Sequence, residues 1–268
     1  MADPKISVIM GIYNCADTLE EAIESLMAQT YTDFEIVMCD DASTDDTYKV
    51  AEELKEKYPE KIILIRNETN SYLAYSLNHC LKYAKGEYVA RMDGDDKCLP
   101  DRFEKQIEFL ETHPEYDVVG TYMQHFTEDG LGDITRAVEY PDKYTIRDHI
   151  PFNHATIMMK KSVYDALGGY TVSPLTRRSQ DREMWYRFFK AGYRGANIPE
   201  PLYLMREDLN AFKRRTARVR WNWYLITRNG YKLLGFPWHW RIKPFVQCVG
   251  KIIIPSKLQM KIRGNSNN

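Results

Sequence analysis

Apolar, strand-like runs alternate with amphipathic helical stretches through the first 120 residues, and this alternation restricts the possible fold more than any other feature. KISVIMG reads as a buried strand. DTLEEAIESLMAQ follows as a helix, with Leu19, Ile23 and Leu26 at helical spacing and Asp17 as a candidate cap. FEIVMC, KIILI and EYVARM then read as strands, separated by the helices DDTYKVAEELKEKY and SYLAYSLNHCLKYA. PDRFEKQIEFLET, with Pro100 at its start, is a further helix, and YDVVGTYMQ a further strand. Such a βαβαβαβ rhythm predicts an α/β fold with a doubly wound, mostly parallel, Rossmann-like sheet covered by helices on both faces. Residues 127–150 read as loop, ATIMMKK as a strand, DREMWYRFFKAG as a helix and PLYLMRE as a last strand. With 268 residues, 44% of them hydrophobic, the chain can bury one large domain or a domain plus an appendage.

In sheets of this kind ligands bind beyond the carboxyl ends of the strands. Three polar clusters fall there: Tyr13 and Asn14 after the first strand, Asp40 and Asp41 after the second, and DGDD (93–96) after the fourth. They are expected to converge on one edge. Carboxylates about 4 Å apart repel by roughly 4 kcal/mol at an effective dielectric near 20. Asp93, Asp95 and Asp96 must therefore be either dispersed in water or given a cation to share. Hard carboxylate oxygens favour Mg²⁺ or Mn²⁺. A cation held by one or two of them keeps positions open for the oxygens of a nucleotide diphosphate. The alternative is a solvated acidic turn in which Asp96 caps the helix that starts at Pro100.

The order of these pieces resembles the inverting glycosyltransferases of family 2, which have the GT-A fold. The resemblance spans roughly residues 5 to 206 and rests on ISVIMGIYN, AIESLMAQTYTDFEIVMCDDASTDDT, AKGEYVARMDGDD, LPDRFEKQ, DVVG, NHATIMMKKSV, LGGY and QDREMWYRF. It implies a UDP-sugar donor, a divalent metal, and a single displacement that delivers a hexosyl or N-acetylhexosaminyl group to a hydroxyl of a glycan or lipid-linked acceptor, as in polysaccharide biosynthesis. It implies a catalytic domain over 1–206, divided into a nucleotide-binding half (1–122) and an acceptor half (123–206). By the same resemblance Tyr13 lies against the uracil ring, Asp40 accepts the uracil N–H, and Asp41 holds the following turn. Asp93 faces the ribose or the metal shell, Asp95 ligates the metal, and Asp181 is the base that deprotonates the acceptor. His154 falls in an HxT-like segment that can touch phosphate or acceptor. The chain departs from the family in having Gln180 where Glu is usual, Gly11 where Pro is frequent, and no glycine in SYLAYSLN. Gln180 prompts an alternative, an inactive, membrane-associated scaffold that binds nucleotide sugars.

Charge is distributed unevenly. Residues 206–268 carry 14 Lys and Arg against two acids, while the preceding 205 residues carry 23 bases and 36 acids. Four of the five tryptophans, Trp221, Trp223, Trp238 and Trp240, lie among those bases. On a helix from about 211, Phe212, Val219, Trp223, Ile226 and Leu233 share one face, with Arg214, Arg218, Arg228 and Lys232 opposite. Residues 207–268 thus form a basic, aromatic extension. It suits either an anionic membrane surface met through 211–263 or a helix packed on the domain with a solvated basic face. The acidic body argues against nucleic acid as a partner. A GxGxxG dinucleotide loop is missing from GIYNCAD, as is the Gly-rich, Arg-containing loop of a sugar-nucleotide pyrophosphorylase. Five scattered cysteines without a CxxC pair read as free thiols. With no basic, then apolar, leader and no run of roughly 18 apolar residues, a cytoplasmic protein, peripheral at the inner membrane face, is expected.

Overall fold

The computed structural model describes residues 3–207 and 216–253. β1 (Ile6–Ile12), β2 (Phe34–Asp40), β3 (Ile62–Arg66) and β4 (Tyr88–Arg91) are parallel, with β1 central between β2 and β4. The connecting helices are α1 (Ala16–Met27), α2 (Thr47–Lys57) and α3 (Leu73–Leu81). α1 and α2 bury Leu19, Ile23, Leu26, Ala51 and Leu54 on one face of the sheet, whereas α3 buries Ala74, Leu77 and Cys80 on the other. The chain therefore changes face between β3 and β4, and the crevice beside β1 opens at the carboxyl edge. Each buried Leu or Ile in these layers contributes about 1.5–3 kcal/mol.

The second half of the sheet is built differently. After β5 (Lys97–Cys98) and α4 (Arg102–Thr112) come β6 (Val118–Thr127), β7 (Gly130–Thr135), β8 (Met158–Lys160), α5 (Lys161–Leu167), α6 (Gln180–Lys190) and β9 (Gly195–Arg206). The order across the sheet is β3-β2-β1-β4-β8-β6-β9-β5, with β7 paired to β6. The β4/β8, β8/β6, β5/β9 and β6/β7 pairs are antiparallel, and β6/β9 is parallel. The α/β sheet is thus parallel in its N-terminal half and mixed beyond it. The stretch expected to be loop, 127–150, contains β7, a hairpin strand whose Gly130 takes the positive φ of the turn. Its largely exposed, polar sequence gave no period-two apolar signal.

α7 (Ala217–Leu233) begins after Thr216, whose side chain accepts the Val219 N–H. It lies against α6 through Ile226, Gly230 and Tyr231, with the Tyr231 and Tyr186 rings 6.2 Å apart edge to face. Gly230 sits so close to Tyr186 that a Cβ there would fall 2.2 Å from the ring. The buried stripe is centred on Ile226 and Tyr231. Leu233, expected on that stripe, is exposed, and Val219 and Trp223 are half-buried. Phe212 and Arg214 lie outside the described residues. α8 (Ile242–Ile253) follows and packs on α7. The extension is therefore seated on the domain over α7. Among the described residues no helix is long and apolar enough to cross a membrane.

Candidate active site

The three polar clusters do meet at the carboxyl edge. The Asn14 amide N–H donates to Ser43 Oγ (3.1 Å), and Asn14 Oδ1 accepts the Thr44 N–H (2.9 Å), joining the turns after β1 and β2. Thr18 Oγ1, in the first turn of α1, donates to the Gly94 carbonyl (3.0 Å) and ties the DGDD corner to the same edge. Gly94 is needed for that approach, since a Cβ there would lie 2.8 Å from Cys15 Sγ and 3.1 Å from Ile12 Cγ2. Tyr13 leaves the end of β1 with its ring 46% exposed.

The crowded acids of DGDD divide into three environments. Asp93 is half-buried and held by both ends of the buried Arg91 guanidinium: Nη1 donates to Oδ2 at 2.8 Å, and Nη2 donates to Oδ1. Burial opposes the charge on Arg91, but Asp93 outweighs it and holds the guanidinium above its ordinary range. Asp96 is buried and accepts from Tyr203 Oη and the Arg206 N–H, both at 2.8 Å. Burial first, then the charges of Asp93 and Asp95, push its carboxyl up to about 8. It therefore secures β9 to the corner, not the start of α4. Asp95 is different. It is exposed, and among the described residues its carboxylate is bonded by its own backbone N–H and by no other side chain. Desolvation and the neighbouring Asp93 raise its pKa. The structure thus neutralises or buries two of the acids and turns one carboxylate outward.

The two acids at the end of β2 are both engaged by the protein itself. Asp40 has no exposed surface. Its oxygens accept the Ser43 N–H at 3.3 Å and the Arg66 guanidinium at 3.0 Å, so Asp40 holds the following turn and is closed to a base N–H in this conformation. Asp41 instead reaches across to the loop after β3, accepting Asn67 Nδ2 and the N–H groups of Ser71 and Tyr72, all at 2.8 Å. That grip holds Tyr72 at φ 69°, ψ 162°, a conformation ordinarily reserved for glycine and costing about 1–3 kcal/mol. The loop that lacks the family's glycine has put a tyrosine into glycine's conformation.

Asp181 stands in the first turn of α6, half-buried, and no side-chain partner is seen for it among the described residues. Its charge acts to raise, and that of Arg91 to lower, the pKa of the buried Tyr170 hydroxyl. Burial is the main reason the Tyr170 hydroxyl is pushed well up. His154, expected to touch phosphate or acceptor, has its Nε2 on Tyr170 Oη at 2.9 Å. Burial and Arg91 hold its pKa well down, so it serves as a neutral prop for the tyrosine. Gln180 is half-buried beside Asp181. A cavity of about 340 Å³ opens between the loop before α3 and the loop before α6, bordered by Tyr72, Tyr75, Val172, Pro174 and Arg177.

Sequence reasoning missed Arg91, Tyr203 and Arg206, which hold the acids, and Arg177, which stacks 3.7 Å over the Tyr72 ring and donates to its hydroxyl at 2.8 Å. A signal existed for Arg91, a lone base inside an apolar strand two residues before an acid. None existed for Tyr203 and Arg206, which come from a strand more than 100 residues away.

The geometry agrees with the comparisons to known proteins. The family model "Glycosyl transferase family 2" matches residues 7–168. EpsE of Bacillus subtilis (strain 168), named as a glycosyltransferase, is 50% identical over 213 residues, covering 80% of this chain and 77% of that protein. WfaP of Escherichia coli, a UDP-Glc:alpha-D-GlcNAc-diphosphoundecaprenol beta-1,3-glucosyltransferase, is 31% identical over 192 residues, 72% of this chain and 73% of its own. Among solved structures, S. aureus TarS 1–349 in complex with UDP superposes with a TM-score of 0.69 at 19% identity, over 95% of this chain and 73% of TarS. The mannosyltransferase PcManGT from Pyrobaculum calidifontis, in complex with GDP-Man and Mn²⁺, gives 0.65 at 18% identity, over 100% and 81%. The fold is GT-A, and the chain belongs to glycosyltransferase family 2.

Proposed function

We propose that the protein transfers a hexosyl or N-acetylhexosaminyl group from a UDP-sugar to a hydroxyl of a glycan or lipid-linked acceptor in polysaccharide biosynthesis, with inversion at the sugar. The observation that carries this reading is the division of labour in DGDD, where Asp95 alone is turned outward, at the strand edge that also carries the exposed Tyr13. The relatives support it: TarS was crystallised with UDP-GlcNAc, WfaP is named for a UDP-Glc donor and a lipid-diphosphate acceptor, and AmsE of Erwinia amylovora for amylovoran biosynthesis.

The residues fit a divalent cation. Among the described residues no three His, Cys, Asp or Glu form a closed metal cage. Instead one outward carboxylate, with a second beside it on Arg91, offers hard oxygens and leaves positions open for phosphate. Asp95, with Asp93 alongside, would hold Mn²⁺ or Mg²⁺. When bound, the cation compensates the charge that grows on the departing diphosphate. Tyr13 offers its ring to the uracil, a contact worth about 1–3 kcal/mol. Asp40 could meet the base N–H only if the turn after β2 opened. Asp181 takes the proton of the acceptor hydroxyl, which contributes about 10²- to 10⁴-fold. Gln180 beside it is uncharged, where the family usually carries Glu.

Residues 1–206 then form the catalytic domain and 207–268 an extension that holds the enzyme at the anionic inner face of the cell membrane. Trp238 is 72% exposed, and Ile242, Phe245, Val246, Ile252 and Ile253 are all exposed on α8 beside Arg241, Lys243 and Lys251. That arrangement suits an interfacial helix, each base near anionic lipid adding about 1 kcal/mol. Because α7 covers α6, substitution of α8 is a cleaner test than truncation. Val246→Glu with Ile253→Glu should cut sedimentation with phosphatidylserine vesicles, and equal sedimentation would remove the membrane assignment. The transfer itself is tested by UDP release from a panel of UDP-sugars with Mn²⁺, using wild type and Asp181→Asn. UDP that binds without any turnover by wild type would instead support an inactive scaffold.

A further inference from the structure

The outer face of α3 carries aromatic rings in a row. Tyr75 and Tyr83 are 43% and 44% exposed, with His79 between them at 6.2 and 5.8 Å from their ring centroids. The row covers about 12 Å at 1.5 Å per helical residue. The row holds no carboxylate, burial and the neighbouring Lys82 charge keep the pKa of His79 down, and the exposed Lys82 lies beside the rings.

At its head the row runs into the cavity of about 340 Å³ between α3 and the loop that leads to Asp181. Tyr75 belongs to both, and Tyr72 and Arg177, stacked 3.7 Å apart, form the rim. Tyr72 keeps its strained, glycine-type backbone only because the Asp41 carboxylate accepts its N–H at 2.8 Å. Strain of this kind collects where a side chain must be presented in one place. Asn222 of α7 donates to the Pro174 carbonyl at 3.2 Å and fixes the opposite wall.

We propose that the cavity and the Tyr75–His79–Tyr83 row are a binding track for the sugar chain that receives the transferred residue, its growing end in the cavity near Asp181 and its older residues along α3. This rests on the glycosyl-transfer reading above. Pyranose rings present flat C–H faces that stack on aromatic side chains, while their rim hydroxyls accept from Arg177 and from tyrosine hydroxyls. A flat, neutral, repeating ligand is what a line of evenly spaced rings recognises. A protein partner would require a larger continuous apolar area. The track predicts that affinity grows with the number of sugar residues.

Calorimetry and an array of β-linked oligosaccharides of one to six residues, probed without donor, test this directly. Wild type should bind hexasaccharides of at least one backbone more tightly than the matching disaccharide. Tyr75→Ala and Tyr83→Ala, both at exposed positions, should each weaken hexasaccharide binding roughly 2- to 12-fold, and Tyr83→Ala should leave disaccharide binding unchanged. Tyr83→Trp should restore the length dependence. UDP binding with Mn²⁺ should be the same in all of these proteins, so loss of UDP binding by wild type would count against the donor reading and not against the track. The track is overturned if wild type shows no gain with chain length on any backbone, or if the alanine variants bind hexasaccharides as wild type does.

Discussion

Replacing Arg91 by Met removes the cation that holds Asp93 and keeps the volume of the side chain. Arg91 is 4% exposed and Asp93 29% at the side chain, so the pair lies at the boundary between core and cleft. Breaking a fully buried ion pair costs about 3–5 kcal/mol. Partial exposure of Asp93 screens its stranded charge, which brings the expected loss to about 2–3 kcal/mol. For a domain of this size that corresponds to a fall in melting temperature of roughly 4–12 °C. The charge left behind also faces Asp95, so the loss should be greater at low ionic strength. Adding Asp93→Asn to Arg91→Met removes the stranded charge and should recover about 1–3 kcal/mol, a coupling that a double-mutant cycle in urea reads directly. Additive effects of the two substitutions, or a single Arg91→Met within about 0.5 kcal/mol of wild type, would refute the view that Arg91 neutralises the corner from within.

Asp181→Asn should lower turnover at least tenfold in a coupled UDP-release assay while UDP still raises the melting temperature; unchanged turnover would eliminate Asp181 as the base. Gly230→Ala should destabilise the fold by about 1–3 kcal/mol in thermal unfolding, because the new methyl meets the Tyr186 ring. His154 titrates near 6.5 when unfolded but well lower when folded. The unfolded chain therefore takes up a proton that the folded chain refuses, and stability should fall as pH drops through 6.5. His154→Asn should flatten that slope in urea titrations at pH 5–7.

The parallel half of the sheet was legible because each strand there is a short apolar run followed by a helix with clean 3.6-residue periodicity. Leu19, Ile23 and Leu26 are buried as their spacing predicts. In the second half α4, β6, β8, α6 and β9 stand where they were read, but β5, β7 and α5 were missed, because β7 is exposed on nearly every residue and β5 is only two residues long. The places of the candidate residues were legible from motif order: Tyr13, Asp93 and Asp95 follow strand ends and Asp181 stands in the first turn of α6. Their division of roles was hidden. Whether an acid is open or spent depends on partners distant in sequence, such as Tyr203 for Asp96 and Tyr72 for Asp41. The same holds for Asp40, whose burial beneath the Ser43 turn leaves no trace in the local sequence.

In the reading proposed above, Asp95 is the carboxylate through which a divalent cation binds the nucleotide diphosphate. Calorimetric titration of UDP into wild type and Asp95→Asn, each with Mn²⁺ and with a chelator, tests it most directly. Mn²⁺ should tighten UDP binding at least tenfold in wild type, about 1.4 kcal/mol, and have almost no effect on the variant. UDP binding that is equally tight with the chelator, or a metal effect that survives in Asp95→Asn, would contradict it.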